Sequence, residues 1–318
     1  MQYTIVTHRK PHLDEVVAIV FLLHFGDKKF PGIKDAKVIF WNSAKTPDGR
    51  TWLEWYKEGF ILVGVGGSPY DEHPVDGQPR RENECAATLV AKSLGIDKEP
   101  RFKELLEYTL QNDSQGGKSP HDLGALITLC NKTHFDNDPQ GALEWAMQPI
   151  WWKIVQQTKF FTETKKEFDT KCRVIQCNHY GREITVVAGQ SDDLEIGAYA
   201  RSEHGANADV TILRNSKGLT FIITKKRSGI NLNHAVIGIR VQEMLAKKLS
   251  FRLNDMALTT DGTVPGSEEW YYDSKARWIL NGSQSSIDTT PSRIPFDKLV
   301  EVVIESLNIK KFSREQVA

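Results

Sequence analysis

The feature that most constrains this chain is an apolar strand that leads through a short loop into an apolar helix. A β-branched run over residues 3–7 ends at His8, and an apolar period typical of a helix begins at Val16. His12 and Asp14 lie between the two segments. Open α/β sheets bind ligands at such crossings, beside the carboxyl ends of their strands. The sequence therefore predicts a ligand site near His8, with His8, His12 and Asp14 as potential metal ligands.

Strands alternate with helices up to about residue 130, which predicts βαβ units and a parallel sheet. The predicted strands cover residues 2–7, 36–41 and 60–67. The predicted helices cover residues 14–25, 83–94, 101–110, 123–130 and, as one long stretch, 141–171. Short strand-like runs follow at residues 173–177, 183–188, 210–213 and 219–224, with a helix predicted from residue 235 to 248.

We therefore predict an α/β chain of two domains, as its length of 318 residues favours. A parallel-sheet N-terminal domain would span residues 1–140, a helical connector residues 141–172, and a smaller α+β domain residues 173–318. A polar loop over residues 281–286 precedes the last predicted helix, and the polar tail from residue 310 is expected to fray.

Composition argues against some classes of function. Lys and Arg together number 41, as do Asp and Glu, so the chain lacks the strongly basic footprint of a duplex nucleic-acid binder. It has no apolar run of membrane-spanning length and no signal-peptide pattern, which predicts no membrane partner. The four cysteines form no CxxC pair and are expected to be reduced thiols, which predicts a cytoplasmic location.

Two further polar clusters lie where a parallel sheet would open onto its crevice. The third predicted strand ends in a glycine-rich turn at residues 64–67, and the triplet Asp-Glu-His follows at residues 71–73. Asp113 lies in a polar loop predicted after the helix at 101–110. Imidazole and carboxylate ligands without thiolates suit Mn²⁺, Mg²⁺ or Zn²⁺. Two such ions about 3.5–4 Å apart can activate water and clamp a phosphoryl group.

Together these motifs resemble the DHH phosphoesterase superfamily, and within it the melanocyte-proliferating-gene family of DHH-like exonucleases. The Thr-His…His-x-Asp-Glu motif of that family is matched by Thr7-His8 and His12-Leu13-Asp14-Glu15. Its Val-Gly-Gly…Tyr-Asp-His-His motif is matched by Val65-Gly66-Gly67 and Tyr70-Asp71-Glu72-His73. The similarity covers roughly residues 3–115, about a third of the chain. It implies a second domain that binds substrate over the metal cleft.

The resemblance also implies a role for each matching position. The implied metal ligands are His8, His12, Asp14, Glu72 and Asp113. The implied catalytic residues are Asp71 and His73, with His73 facing the phosphate or acting as a ligand.

Two positions depart from the family pattern. Glu72 stands where the family has its first histidine. Gly64 stands where the family has the aspartate that bridges two metals. The second departure leaves four outcomes open: one ion instead of two, a different ion, replacement of the bridge by Asp71, or loss of catalysis.

Ordinary structural roles are the alternative for the same residues. His8 could cap a strand end, and Asp14 and Glu15 could be acids that favour the first turn of a helix. Residues 64–67 could form no more than a tight turn, and Asp113 could cap a loop.

One stretch of the second domain predicts a phosphate-binding loop. A strand ends in basic residues, a Ser-Gly turn follows, and an Asn/His-containing segment precedes the helix at 235–248. Backbone N–H groups at that helix start, together with the basic side chains, would bind an anion. The predicted substrate-binding residues are Lys226, Arg227, Ser228, Gly229 and His234. A solvated basic turn is the alternative.

The resemblance implies a metal-dependent phosphoesterase that hydrolyses a phosphodiester, a phosphate monoester or a phosphoanhydride. Its cofactor would be a divalent metal, Mn²⁺ first, with Mg²⁺ or Zn²⁺ as alternatives. The expected partner is a phosphorylated small molecule or a short oligonucleotide, and a homodimer is left open. Two other functions remain: a catalytically degenerate DHH-like protein that binds a nucleotide or phosphorylated metabolite without turnover, and a metal-dependent hydrolase of a non-phosphate substrate.

Overall fold

The structure, a computed structural model, describes residues 2–73, 79–250, 255–282 and 288–309. Most of the predicted polar loop, from residue 283 to 286, and the tail from residue 310 lie outside the described residues. The chain is a mixed α/β protein that divides into two compact units, Met1–Lys159 and Phe160–Ala318. The units are equal in length, so the second unit is not the smaller domain that the sequence predicted.

A three-stranded parallel sheet organises the first unit. Its central strand β1 (Thr4–His8) pairs in parallel with β2 (Lys37–Trp41) on one side and with β3 (Phe60–Leu62) on the other. β-Branched and aromatic side chains dominate all three strands, as expected for a buried sheet. Because parallel strands end at the same edge, His8 and the loop after β3 lie at one edge of this sheet.

The first unit has six α-helices within its described residues, and one of them is buried over most of its length. In chain order they are α1 (Leu13–Phe25), α2 (Trp52–Lys57), α3 (Ala86–Leu94), α4 (Pro100–Gln115), α5 (Leu123–Thr133) and α6 (Pro139–Lys159). Every residue of α1 from Leu13 to Leu22 is buried, and α1 packs against α3, α4 and α6. A helix that is apolar around its whole circumference belongs in a core. The buried start of α1 therefore carries Asp14 and Glu15 into the interior.

Three predicted elements have different bounds in the structure. The strand predicted at 60–67 ends at Leu62, because the glycines at 64, 66 and 67 take positive φ and leave the extended conformation. The helix predicted at 101–110 continues to Gln115, so Asp113 lies in its last turn and not in a loop. The long helical stretch predicted at 141–171 is present as an unbroken helical run from Pro139 to Lys171, and the division into two units falls inside it, after Lys159. Its first part is α6, whose apolar face belongs to the core of the first unit.

A six-stranded mixed sheet organises the second unit. Its strands are β4 (Cys172–His179), β5 (Arg182–Gln190), β6 (Val210–Arg214), β7 (Thr220–Thr224), β8 (Tyr271–Asp273) and β9 (Trp278–Asn281), in the order β4-β5-β6-β7-β9-β8. The pair β5–β6 is parallel and the other pairs are antiparallel. On β5, Val186 and Ala188 join one apolar cluster and Val187 joins another, so this strand is buried on both faces.

Helices cover both faces of this second sheet. After a π-helical turn at Phe160–Thr164 they are α7 (Lys165–Lys171), α8 (Ile196–Arg201), α9 (Asn233–Ala246), α10 (Asp255–Leu258) and α11 (Phe296–Leu307). α9 and α11 pack against each other and share the larger apolar cluster with the sheet. Across the described ranges of both units, no helix combines the length and the apolar character needed to cross a bilayer.

Candidate metal centre

The carboxyl edge of the first sheet gathers the ligand residues that the sequence predicted for the first unit. Among the described residues, potential ligand atoms lie within 4.8 Å of one another in three groups: His8, His12 and Glu15; Asp71, Glu72 and His73; and Asp14, Glu72 and Asp113. Four separate segments supply them: the end of β1, the start of α1, the loop after β3 and the last turn of α4. The parallel sheet and the buried helix α1 therefore position the whole cluster.

His8 and Glu15 form an ion pair at the end of β1. His8 Nδ1 donates to the Arg9 carbonyl at 2.8 Å, and Nε2 lies 3.0 Å from Glu15 Oε1. Both partners are acceptors, so the ring carries both protons in this arrangement. Burial alone would lower the pKa of His8, but the hydrogen bond and the charge of Glu15 raise it to about 9. Burial alone would likewise raise the pKa of Glu15, but His8 lowers it to about 2.

Asp14, Glu72 and Asp113 form a second group that consists entirely of carboxylates. Asp14 is 2% exposed and Glu72 is fully buried. Burial is the largest cause of a raised pKa for all three, and neighbouring negative charges raise the pKa of Asp14 further. Buried carboxylates at this spacing need a proton or a cation to offset their charge.

Glu72 shows that these residues fit a cation. Among the described residues, neither carboxylate oxygen of Glu72 has a hydrogen-bond partner, although the side chain is fully buried. Two nitrogen atoms lie close to its Oε1: His73 Nδ1 at 3.4 Å and a guanidinium nitrogen of Arg80 at 3.5 Å. Buried polar groups are nearly always hydrogen-bonded, so such a carboxylate requires an explanation. A divalent cation shared with Asp14 and Asp113 provides one.

Asp14 also connects this group to α3. Its Oδ2 accepts a hydrogen bond from the Ala86 N–H at 3.2 Å, at the start of that helix. A carboxylate is favourable beside the free N–H groups of a helix N-terminus. Burial, and then the charge of Asp14, raise the pKa of the neighbouring Cys85 thiol to about 12.

Asp71 holds the loop after β3 and orients His73. Its Oδ2 accepts from the Gly67 N–H at 2.8 Å, and its Oδ1 accepts from the His73 N–H at 3.1 Å. The His73 ring, with its Nδ1 2.9 Å from the same oxygen, is about half exposed. Asp71 is therefore the buried partner of the accessible His73 imidazole. Gly64 precedes Asp71 in the same loop.

Sequence reasoning passed over two residues of this site. Glu15 was interpreted only as part of a motif or as a first-turn acid, yet it is 1% exposed and lies in a ligand group. Its position three residues after the N-cap residue His12 was a usable signal, because a glutamate there turns back toward the N-cap. Arg80, which pairs with Asp113, had no signal in the sequence.

The predicted substrate-binding residues lie in the second unit: four are on the turn between β7 and α9, and His234 is in the first turn of α9. Lys226, Arg227, Gly229 and His234 are not buried, and Arg227 and Gly229 have positive φ. Ser228 is buried and its Oγ accepts from the Ile230 N–H at 3.3 Å. The serine thus stabilises the turn itself, and the role of this turn in binding substrate stays a prediction.

The His8–Glu15 pair predicts how the stability of chelated protein depends on pH. Because the pKa of His8 is raised from 6.5 to about 9, its stabilising contribution is complete below pH 6.5 and disappears as the pH rises through 9. We therefore expect the Tm of the EDTA-treated protein to fall between those two pH values, and His8→Asn to remove this part of the fall. Scanning calorimetry of both proteins measures it. An equal fall in the variant would contradict the assignment.

Comparisons with known proteins leave this chain without a family. No family model matches it, and no curated protein matches it. Among solved structures, an uncharacterized protein from Helicobacter pylori G27 is 11% identical, covers 97% of this chain and 100% of its own, and has a TM-score of 0.27. A likeness at that score supports no conclusion about fold or function, so the function has to be inferred from the residues themselves.

Proposed function

We propose that this chain is a metal-dependent phosphohydrolase that acts on a phosphodiester, a phosphate monoester or a phosphoanhydride of a nucleotide or short oligonucleotide. The observation that carries the proposal is the buried Glu72 carboxylate, which has no hydrogen-bond partner within the described part of the chain and lies beside Asp14 and Asp113. With His8 and His12 these residues would hold one or two divalent cations. Mn²⁺ is the first candidate, because it accepts both imidazole and carboxylate ligands.

A divalent cation in this cluster would supply Lewis acidity, lowering the pKa of water and offsetting charge on the phosphoryl oxygens. The residues around it divide the remaining tasks. Burial raises the pKa of Asp14, Glu72 and Asp113, so these carboxyls hold protons more tightly than exposed carboxyls do, and a cation would displace those protons on binding. His8 Nδ1 donates to the Arg9 carbonyl, which leaves Nε2 as the ligand atom and fixes the ring.

His73 and Asp71 would handle the proton of the leaving group. Asp71 Oδ1 lies 2.9 Å from His73 Nδ1, which favours the tautomer with its proton on that atom. Protonation of Nε2 then gives an acid that can donate to the leaving oxygen at the half-exposed mouth of the cluster. In this proposal Asp71 acts through His73 as a positioning residue.

Positive charge near the cluster supports a phosphorylated substrate. Arg80 pairs with Asp113 and is 42% exposed, so its guanidinium is within reach of an anion that approaches the carboxylates. Guanidinium groups bind phosphate oxygens in a bidentate manner. Lys226 and Arg227 belong to the second unit and are exposed, and their role in binding phosphate stays a prediction from the sequence.

The test measures binding and turnover on the same preparation. EDTA-treated protein is titrated with Mn²⁺ by calorimetry and then assayed on bis(p-nitrophenyl) phosphate, p-nitrophenyl phosphate, pyrophosphate and short oligonucleotides, with Asp14→Ala as the control. We expect saturable Mn²⁺ binding and Mn²⁺-dependent hydrolysis of at least one substrate; in the variant Mn²⁺ binding should be weakened and hydrolysis lost. Absence of Mn²⁺, Mg²⁺ and Zn²⁺ binding, together with no hydrolysis, would refute the proposal.

Gly64 favours a second candidate, a protein that binds a nucleotide or phosphorylated metabolite without turnover. The resemblance to the DHH superfamily implies a bridging aspartate at that position, and a glycine supplies no ligand. Metal-dependent binding of a nucleotide, without hydrolysis of any of these substrates, would support this candidate over the enzyme.

A further inference from the structure

Glu15 is more deeply buried than its role in capping a helix requires. Its Oε2 accepts from the His12 N–H at 2.7 Å, which closes a capping box at the start of α1. Glu54 makes the same contact with the Thr51 N–H at the start of α2, also at 2.7 Å, and is exposed. Capping therefore accounts for one oxygen of Glu15. The other oxygen, Oε1, lies 3.0 Å from His8 Nε2 in the ligand group with His12.

Gly64 provides the space in which the Glu15 side chain lies. A Cβ at position 64 would lie 2.7 Å from Glu15 Oε1 and 2.8 Å from Glu15 Cγ, closer than real Cβ contacts allow. The φ of Gly64 is +66°, a conformation that side chains with a Cβ rarely adopt. The loop after β3 thus has no side chain at the point where the Glu15 carboxylate meets it.

The ligand groups at this edge differ in chemistry. His8, His12 and Glu15 offer two imidazole nitrogens and one carboxylate, whereas Asp14, Glu72 and Asp113 offer oxygen alone. Two histidines with a glutamate are a known donor set for Zn²⁺, and imidazole also suits other transition metals. Groups that consist of carboxylates suit Mg²⁺ or Mn²⁺. These two groups therefore present donor sets with different cation preferences, while the third group, Asp71, Glu72 and His73, shares Glu72 with the all-carboxylate group.

We propose that Glu15 is a metal ligand, which with His8 and His12 forms a nitrogen-containing subsite for Zn²⁺ or Mn²⁺ beside the carboxylate subsite for Mg²⁺ or Mn²⁺. The absence of a side chain at Gly64 is what admits this ligand. The inference rests on the proposed function, because it assumes that the cluster binds divalent cations. It adds a ligand that the sequence motif did not assign and a difference in cation preference between the two subsites.

Glu15→Gln tests the ligand while it preserves the cap, because the glutamine amide oxygen can still accept from the His12 N–H. Zn²⁺ and Mg²⁺ are titrated separately by calorimetry, and bound metal is counted by mass spectrometry. We expect the variant to lose Zn²⁺ affinity by more than the roughly 10–100-fold that changes around a ligand cause, and to keep its Mg²⁺ site. Glu54→Gln, the matched capping-box control, should bind both metals as the unmodified protein does.

Gly64→Ala tests the space beside the ligand, and Gly95→Ala is its matched control. Gly95 has a φ of +73°, and no atom lies within 4 Å of the point that a Cβ would occupy there. Both variants therefore carry the same kind of left-handed backbone strain, but only Gly64→Ala meets Glu15. We expect Gly64→Ala to weaken Zn²⁺ binding as Glu15→Gln does, and Gly95→Ala to leave it unchanged.

These measurements separate the two proposals. Unchanged Zn²⁺ binding in both Glu15→Gln and Gly64→Ala would overturn the role of Glu15, while Mg²⁺ or Mn²⁺ binding by the same proteins would leave the proposed function intact. If the unmodified protein binds none of Zn²⁺, Mn²⁺ and Mg²⁺, the proposed function fails and the role of Glu15 fails with it.

Discussion

Asp14→Asn is expected to reduce metal-dependent hydrolysis by about 10³-fold, the size of effect seen when a group that stabilises transition-state charge is removed. Asparagine retains an oxygen that can accept from the Ala86 N–H, so the start of α3 keeps its contact. It removes a negative charge from the carboxylate group that Asp14 forms with Glu72 and Asp113. The substitution should therefore weaken binding of the cation without disturbing the packing of α1.

The same variant should be more stable than the unmodified protein after both are treated with EDTA. The pKa of Asp14 is raised well above its usual value by burial and by the neighbouring carboxylates, so ionisation of Asp14 destabilises the fold as the pH rises through that pKa. Asparagine has no charge to bury. With excess Mn²⁺ the order should reverse, since a cation at 100 times its Kd stabilises the protein that binds it by about 2.7 kcal/mol.

Differential scanning fluorimetry with and without Mn²⁺ measures both effects, and a turnover assay measures the first. Asp122→Asn is a suitable control, because Asp122 is an N-cap carboxylate of α5 that accepts from the Ala125 N–H. Asparagine is as good an N-cap as aspartate, so this variant should respond to Mn²⁺ normally. An Asp14→Asn protein with an undiminished Mn²⁺-induced rise in Tm would show that Asp14 is not a ligand.

The second large effect is expected at Arg240, which is fully buried in the second unit. Its guanidinium donates to the carbonyl oxygens of Leu258, Thr260, Gly262 and Trp270, at 2.7, 3.0, 2.5 and 3.4 Å. Burial lowers its pKa to about 10, so it remains charged at neutral pH. Arg240→Met should lower the free energy of unfolding by about 3–5 kcal/mol, because each buried carbonyl left without a donor costs roughly 1–3 kcal/mol.

Urea unfolding followed by circular dichroism measures this loss. Arg173→Met is the control, since Arg173 pairs with Asp297 at 2.7 Å while both side chains are exposed. An exposed pair of this kind contributes about 0–1 kcal/mol. Equal losses in the two variants would mean that the carbonyls around Arg240 find other donors or water.

The order of elements in the first unit was predictable, because short β-branched strands and longer apolar helices differ in period and in composition. The bounds of two elements were not. The apolar pattern extends the third strand through Gly64, whereas the φ of this residue is +66°, which is outside the extended conformation. Asp113 was predicted to lie in a loop, and an acid is indeed unfavourable at the C-terminal end of a helix. Its location there, in the last turn of α4, is a local cost that a bound cation would offset.

The second unit was less predictable. Strands β8 and β9 have three and four residues and were not predicted, because runs this short carry little periodicity. The buried arginine at position 240 resembles an ordinary charged residue of an amphipathic helix. Its surroundings are carbonyl groups from another segment, and sequence patterns do not report such contacts.

In the candidate site, the sequence predicted most of the side chains that lie together but not how they group. His8, His12 and Asp14 were identified by spacing within a single loop, yet Asp14 joins a different group from the two histidines. The reason is the geometry of the first turn of α1, where successive side chains point about 100° apart. Glu15 turns back toward the strand end and Asp14 toward α3, and only the fold reveals that division.

The close approach of Glu15 to Gly64 also restricts how this site could change in evolution. An aspartate at position 64 would place its Cβ 2.7 Å from the Glu15 carboxylate and add a like charge there. A chain with both Glu15 and an aspartate at position 64 would therefore need a different conformation of the loop after β3, or the two side chains would collide. If Glu15 is replaced by a smaller residue first, His8 and His12 lose their neighbouring carboxylate before an aspartate at position 64 can replace it. If the two proposed subsites exist, the two residues would be epistatic, because either single substitution made first would disturb the subsite of His8 and His12.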